Sequence, residues 1–518
     1  MSDQLKSIKK DPYRPAFHIM PPTGWMNDPN GLCEFKGKYH VFFQYSPDNP
    51  CGGQKLWGHY AGDSLVDLRF EGAPLAPDMP FDKNGVYSGC AFIADDEMQL
   101  YYTGNVKQPG DHDFTYSGRE ANTVLVKSRD GEHFSEKEFL MGNDSYPAEY
   151  TCHVRDPKVW TEGGSVYMVQ GGRIDGGKIG PDTAGKDRGA VIVFKQDSAE
   201  NTWSVLYSIT TEEAFGYMWE CPDYFSVDGK KIISCSPQGL PACLHRWQNI
   251  YQSGYFVMSD DFDITAPTTL DPCFKGTQAA GMGDYRLIKN PETCFKEWDM
   301  GFDFYAPQSF EDSDGRRILI GWAGMPDADY DNQPTVEKGW QHMLTVPRVV
   351  SVQDGCVRQW PIEELESLRT NLRETTKSKA RTKLSGLNAD IVLGDLSADK
   401  ILKEAGEEKA TLVSLEDSFG QFFELTLERW EGEAYILRLL LSERPGRGRK
   451  ERVAVIAKLS DLRVLTDASI AEIFVNGGET VFTTRFYADE GENAKPFFVM
   501  TGPNGAKIWN MKEMKLEI

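Results

Sequence analysis

Several absences narrow the field. No apolar run approaches the ~20 residues a bilayer span requires, and the N-terminal MSDQLKSIKKDPYRPAF is polar, without the apolar centre of a secretory signal. A cytoplasmic location is therefore expected. Basic residues are outnumbered, 56 Lys and Arg against 78 Asp and Glu, for a formal net charge of -22. Nucleic acids and anionic membranes are recognised through basic patches, so neither is expected as a partner. The ten cysteines form no CxxC pair and none follows Cys356. Several lie in apolar, strand-like runs and read as buried free thiols in a reducing compartment. The eight histidines are scattered, with no HExxH and no Cys/His ligand spacing. No metal or other cofactor is expected on that ground.

What is present is β-structure in repeats. A chain of 518 residues is too long for one ordinary core, so at least two domains are expected. Five segments share one plan of polar motif, strand, turn and second strand: NDPNGLCEFKGKYHVFFQY from 27, YSGCAFIADDEMQLYYTG from 87, RDPKVWTEGGSVYMVQGG from 155, ECPDYFSVDGKKIISCSPQG from 220, and YAPQSFEDSDGRRILIGWAG from 305. Their turns, KG, DD, EGG, DG and SDG, are hairpin signals. Further strands follow, such as TVLVKSRDG (123–131), AVIVFKQDS (190–198) and WSVLYSI (203–209). The starts lie 60, 68, 65 and 85 residues apart. A four-stranded antiparallel sheet cannot bury both faces alone, and five packed radially make a five-bladed β-propeller. The expected class is all-β: a propeller over 1–361, a connector over 362–380, and an antiparallel β-sandwich over 381–518.

In a propeller the first strand of each blade lines the central channel, so the five motifs converge at one mouth. That placement changes the meaning of Asp28. Within PPTGWMNDPNG it reads in isolation as turn chemistry. Beside Asp156 of RDP and Glu220 of ECP it becomes one of three carboxylates in a funnel. Crowded carboxylates push pKa values apart, giving an acid beside a base, which is what glycoside hydrolysis uses. Trp25, Trp57, Tyr87, Trp219, Phe304, Tyr305 and Trp322 cluster at the motifs and could stack on sugar faces; Asn27, Gln44, Ser88 and Arg155 could bond hydroxyls. Alternation along the strand puts Glu220 and Asp223 on opposite faces, so only one should face the channel. Asp299 and Asp303 precede the fifth motif and stand as further acids.

WMNDPNG, RDP and ECPD, in this order and spacing, resemble glycoside hydrolase family 32, the β-fructofuranosidases. FHIMPPTGWMNDPNGL, WGH (57–59), YSG, GYMWECPD, DFYAPQ and GWQH are similar to its bacterial invertase and sucrose-6-phosphate hydrolase branch. The resemblance covers about residues 15–371 and resumes at 467–487. It implies a retaining mechanism with Asp28 as nucleophile, Glu220 as acid/base and Asp156 as transition-state stabiliser. It also implies a fructose pocket shaped by Trp25, Asn27, Gln44, Trp57, Tyr87, Ser88, Arg155 and Trp322, with the turn at Pro29–Gly31 aiming Asp28 inwards. Sucrose, sucrose-6-phosphate and short fructo-oligosaccharides are the implied small-molecule substrates. A fructosyltransferase shares the same motifs, and a silent sugar-binding propeller is the alternative from another class. Three departures stand out: Cys90 after YSG, a Gly-rich insertion at 172–189, and DAS (467–469) where DRS is usual.

Beyond the propeller, PIEELESLRTNLRET (361–375) has charged helical spacing and reads as a connector. Alternating strands follow, including FFELTLERW (422–430) and IAEIFVNGG (470–478). ERPGRGRK (443–450) reads as a solvated basic loop rather than a phosphate site. This module carries no catalytic constellation; its expected roles are stability, loop support and contacts in a possible homodimer.

Overall fold

Each of the five repeated segments builds its own sheet in the computed structural model. The model describes residues 11–178, 186–211, 213–260, 262–265, 274–277, 285–288, 290–375, 381–406, 408–488, 497–500 and 505–518. The start of the N-terminal stretch, the centre of the Gly-rich insertion, Cys273 and the end of the proposed connector lie outside these residues.

The first sheet holds Gly24–Phe35, Lys38–Ser46, Leu56–Ser64 and Asp67–Leu75. The second runs from Val86–Ala94 through Glu97–Lys107 and Arg119–Ser128 to Glu138–Met141. Tyr150–Glu162, Ser165–Ile174, Arg188–Asp197 and Thr202–Thr211 form the body of the third. The fourth begins at Met218–Val227 and the fifth at Tyr305–Glu311. The five first strands touch in succession, and the fifth returns to the first, so the sheets close a ring.

Burial explains the ring. An apolar cluster lies between every successive pair of sheets. Phe42 and Trp57 meet Leu100 and Val124; Tyr101 and Leu125 meet Met168 and Ile192. Val191 meets Trp219 and Ile233, Ile232 meets Leu319 and Val350, and Ile318 and Ile320 close the circle on Val41 and Phe43. Each sheet is sealed by its two neighbours, and the second module adds Leu465, Phe474 and Val481 to the cluster between the fifth and first.

Two further six-stranded sheets form the second module, one from Arg369–Glu374 to Thr480–Arg485 and one from Arg381–Lys383 to Glu451–Ile456. Ile391, Val464 and Ile473 of one sheet share a core with Leu425, Leu437 and Leu439 of the other. The chain is thus all-β, a ring of sheets followed by a sandwich. The last strand, Lys515–Glu517, returns to pair with Asp67–Leu75 of the first sheet.

Two local expectations change. The helical spacing after residue 361 yields only a short 3-10 helix, Glu363–Leu368; Arg369–Glu374 is then a strand against Lys507–Met511. Backbone pairing with a strand far along the chain outweighs weak local helix preference. The basic segment 443–450 is not a solvated loop. Arg449 is buried and grips Asp303 with two bonds of 2.7 Å, while Arg444 and Arg447 pair with Asp417 and Asp331.

Candidate active site

The motifs reach the cavity by breaking the strands that carry them. Pairing slips between Met26 and Pro29 and between Asn30 and Cys33, between Tyr87 and Gly89, between Arg155 and Lys158, between Glu220 and Asp223, and between Tyr305 and Gln308. NDPNG is therefore no reverse turn; it sits inside one twelve-residue strand as a double irregularity. Such bulges bend a strand and re-aim its side chains. Asp156, Cys221 and Ala306 take left-handed backbone at φ 64°, 46° and 45°, a conformation non-glycine residues rarely hold. Gly31 does the same at φ 53°, where an added Cβ would stand 2.7 Å from the Phe42 ring.

These irregularities surround a cavity of about 540 Å³. Asp28, Asp156 and Glu220 all line it, together with Trp25, Asn27, Gln44, Tyr87, Ser88, Arg155 and Trp322. Trp57 does not. It is fully buried between the first two sheets, its indole donating to the Tyr87 carbonyl at 3.1 Å. Its neighbours Phe42 and Tyr102 take the apolar ring into the core, so it supports the wall from behind. Trp219 and Phe304 are likewise core residues.

Asp28 accepts hydrogen bonds from Ser88 Oγ at 2.6 Å and from Asn27 Nδ2 at 3.1 Å. Asn27 is itself held by the Trp25 indole at 2.8 Å. Asp156 accepts from the Cys221 amide at 3.0 Å, and its own amide donates to Thr103. Glu220 is gripped on both oxygens: Arg155 donates to Oε1 at 2.5 and 3.2 Å, while Gln238 and Tyr305 donate to Oε2 at 2.6 and 2.5 Å. Enclosure raises Asp28 above the ordinary aspartate range, Ser88 and Asn27 opposing and Glu220 adding to the rise. Burial pushes Asp156 up to about 7, against the pull of Arg155. Of the remaining acids, Asp223 does not line the cavity; the slip after Glu220 interrupts the expected alternation, and Asp223 accepts from Ser309 and pairs with Lys158 at 3.2 Å, on the first strands of the fifth and third sheets. Asp299 and Asp303 lie at the join with the second module.

Gln238, Tyr305, Tyr251, Lys55, Arg119, His153 and Asp327 also line the cavity. Tyr305 opens the fifth motif and was legible there. Gln238 faces Met218 across its hairpin and carried no motif of its own. His342 is buried behind the wall, 4.4 Å from the Trp25 ring and 5.0 Å from that of Trp322, whose indole it accepts. Among the described residues no cluster of His, Cys, Asp and Glu could hold a metal, and the nine described cysteines are free thiols. No helix there is long and apolar enough to cross a membrane.

This geometry matches known proteins across the whole chain. Residues 18–361 match the model of the glycosyl hydrolases family 32 N-terminal domain, and 439–512 the family 32 C-terminal model. The sucrose-6-phosphate hydrolase of Bacillus subtilis is 37% identical over 489 residues, 93% of this chain and 91% of that protein. The Staphylococcus xylosus enzyme of the same name is 34% identical, over 94% and 89%. Among solved structures, a Bombyx mori GH32 beta-fructofuranosidase superposes with TM-score 0.75 at 26% identity, covering 100% of this chain and 98% of that one. A Lactobacillus gasseri sucrose-6-phosphate hydrolase shares the fold, with TM-score 0.79 at 24% identity over 99% and 96%. Three acids on bulged inner strands and two matching domain models lead to one assignment: the chain belongs to glycosyl hydrolase family 32.

Proposed function

We propose that the protein is a retaining β-fructofuranosidase that removes the terminal fructose of sucrose, sucrose-6-phosphate or short fructo-oligosaccharides, on a propeller of five blades. One arrangement carries the reading: Asp28 and Glu220 face the same cavity from different sheets, each held by neutral or cationic donors. The closed ring of first strands supports the blade count.

In the first step Asp28 attacks the anomeric carbon of fructose. Ser88 and Asn27 fix its rotamer through neutral hydrogen bonds. Glu220 passes a proton to the departing glycosidic oxygen; Arg155, Gln238 and Tyr305 set its position. In the second step Glu220 takes a proton from water, which releases fructose from Asp28. Asp156, fixed by the Cys221 amide, holds sugar hydroxyls as positive charge develops on the ring. Trp25 and Trp322, braced on His342, offer an apolar wall.

Fructose release from sucrose and from sucrose-6-phosphate, compared with release by Glu220→Gln, tests the reading. Loss of turnover in the variant is the expected result; unchanged turnover would remove Glu220 from its role. Transfer of fructose to a second sugar at high sucrose, in place of release to water, would make the protein a fructosyltransferase.

A further inference from the structure

The cavity holds more acid than base, on a chain that is itself acidic. Asp28, Asp156, Glu220 and Asp327 line it against three cations, Lys55, Arg119 and Arg155. Arg155 is spent on Glu220, with Asp156 3.8 Å away. Arg348, Arg369, Arg449 and Arg463 each have a buried carboxylate within 3.3 Å. Arg119 has none, and unlike Arg485, a core arginine also without one among the described residues, it lines the cavity. Among the described residues no carboxylate comes within 4.0 Å of its guanidinium, and its buried Nε has no partner.

Its one side-chain hydrogen-bond contact among the described residues cannot accept from it. Arg119 Nη1 lies 3.3 Å from His153 Nε2, but that nitrogen is 3.0 Å from the Phe114 carbonyl, an oxygen that can only accept. His153 Nε2 therefore carries the hydrogen, and the Arg119 donors stay unspent. Desolvating a guanidinium without an acceptor is costly, and a cation left so in a cavity is matched by an anion that arrives with the ligand. The position is rigid: Arg119 opens a strand, and its carbonyl accepts from Asn143. It is also directional. Arg155 and His153 lie two residues apart on one strand and share a face, so a row runs outward from Glu220 through Arg155 and His153 to Arg119. The leaving group occupies the Glu220 side of the scissile bond. Lys55 lies on the other side, over the Trp25 ring at 5.0 Å and bonded to Ser46.

We propose that Arg119 is the phosphate-binding residue of a leaving-group subsite, through which the enzyme selects a disaccharide phosphorylated on the sugar that departs. The assignment rests on the β-fructofuranosidase reading above. A phosphate dianion meets four carboxylates in this cavity, and Arg119 supplies the fixed two-pronged donor that offsets them.

The test is the ratio of kcat/KM for sucrose-6-phosphate to that for sucrose, in the intact protein and in Arg119→Gln, Arg119→Lys and Lys55→Gln. The intact protein should favour the phosphorylated sugar by tenfold or more. Arg119→Gln should collapse that ratio by at least tenfold, Arg119→Lys should restore part of it, and Lys55→Gln should leave the preference standing. Inorganic phosphate should compete with sucrose in the intact protein and at least fivefold less well in Arg119→Gln. A ratio near one in the intact protein, or a ratio that moves with Lys55 and not with Arg119, overturns the assignment while leaving fructose release intact. No fructose from either substrate overturns the underlying function instead.

Discussion

Two groups of buried acids divide the molecule. Between the modules, Glu472 accepts from Arg348 at 2.6 Å, from the Val346 amide at 2.7 Å and from His18 at 2.9 Å. Asp467 accepts from His18 and from the amides of Ala16 and Phe17, tying the N-terminal segment to the sandwich. In the cavity, Glu220 and Asp156 share one arginine and Asp28 has none. The consequences are opposite. Burial works against Glu472, yet Arg348 and His18 draw its carboxyl below the usual range. Burial prevails at Asp156 and lifts it to about 7. A buried acid is drawn down where cations outweigh its desolvation and pushed up where they do not.

Substitutions in the two places should therefore fail differently. Asp28→Asn or Glu220→Gln is expected to lower kcat for fructose release by roughly 10³-fold or more, about 4 kcal/mol of barrier, with a melting temperature unchanged or raised because self-repulsion is relieved. Steady-state kinetics with calorimetry on the same samples checks this; a melting loss as large as that at the interface would erase the distinction.

Arg348→Met should do the reverse. It strands Asp299 without its cation and leaves Glu472 with His18 alone, an effect of about 3–5 kcal/mol, readable in urea unfolding. The folded fraction should keep its kcat, since neither acid lines the cavity.

The next difference lies in pH. His18 donates from both ring nitrogens to carboxylates. Burial opposes its charge, but Asp467 and Glu472 prevail and raise it from 6.5 to about 9. A pKa raised on folding stabilises the protein fully below the unfolded value, and that share disappears as pH climbs through the folded one. Stability should thus fall by about 3 kcal/mol between pH 6.5 and 9, and His18→Gln should flatten the slope. An equal slope in the variant would assign it to another group.

The smallest effect separates the cavity acids from ordinary ones. Asp28 and Asp156 both rise, Asp156 to about 7, and the proposed mechanism uses both ionised. The acid limb of kcat/KM should then lie well above the ~3.9 of a free aspartate and approach 7. A limb near 4 would mean that the cavity stays as wet as bulk solvent.

The five-fold recurrence, the hairpins and the three carboxylates are written in residue order, because strand alternation and turn chemistry are local. Local sequence also carried the family motifs, and with them most of the cavity lining: Trp25, Asn27, Gln44, Tyr87, Ser88, Arg155 and Trp322 all border it. Trp57 misled because an aromatic beside a motif looks the same whether its ring turns to the cavity or into the core; only packing against Phe42 and Tyr102 decides. NDPNG misled because the residues that make a turn also make a bulge, and the choice depends on the partner strand Lys38–Ser46. Arg119 and His153 were invisible: they come from different sheets, and an arginine without a carboxylate is recognised only when every neighbour is known. Chain order determined which residues could face a common channel. Tertiary structure decided which acids received cations, because that depends on groups brought together from hundreds of residues apart.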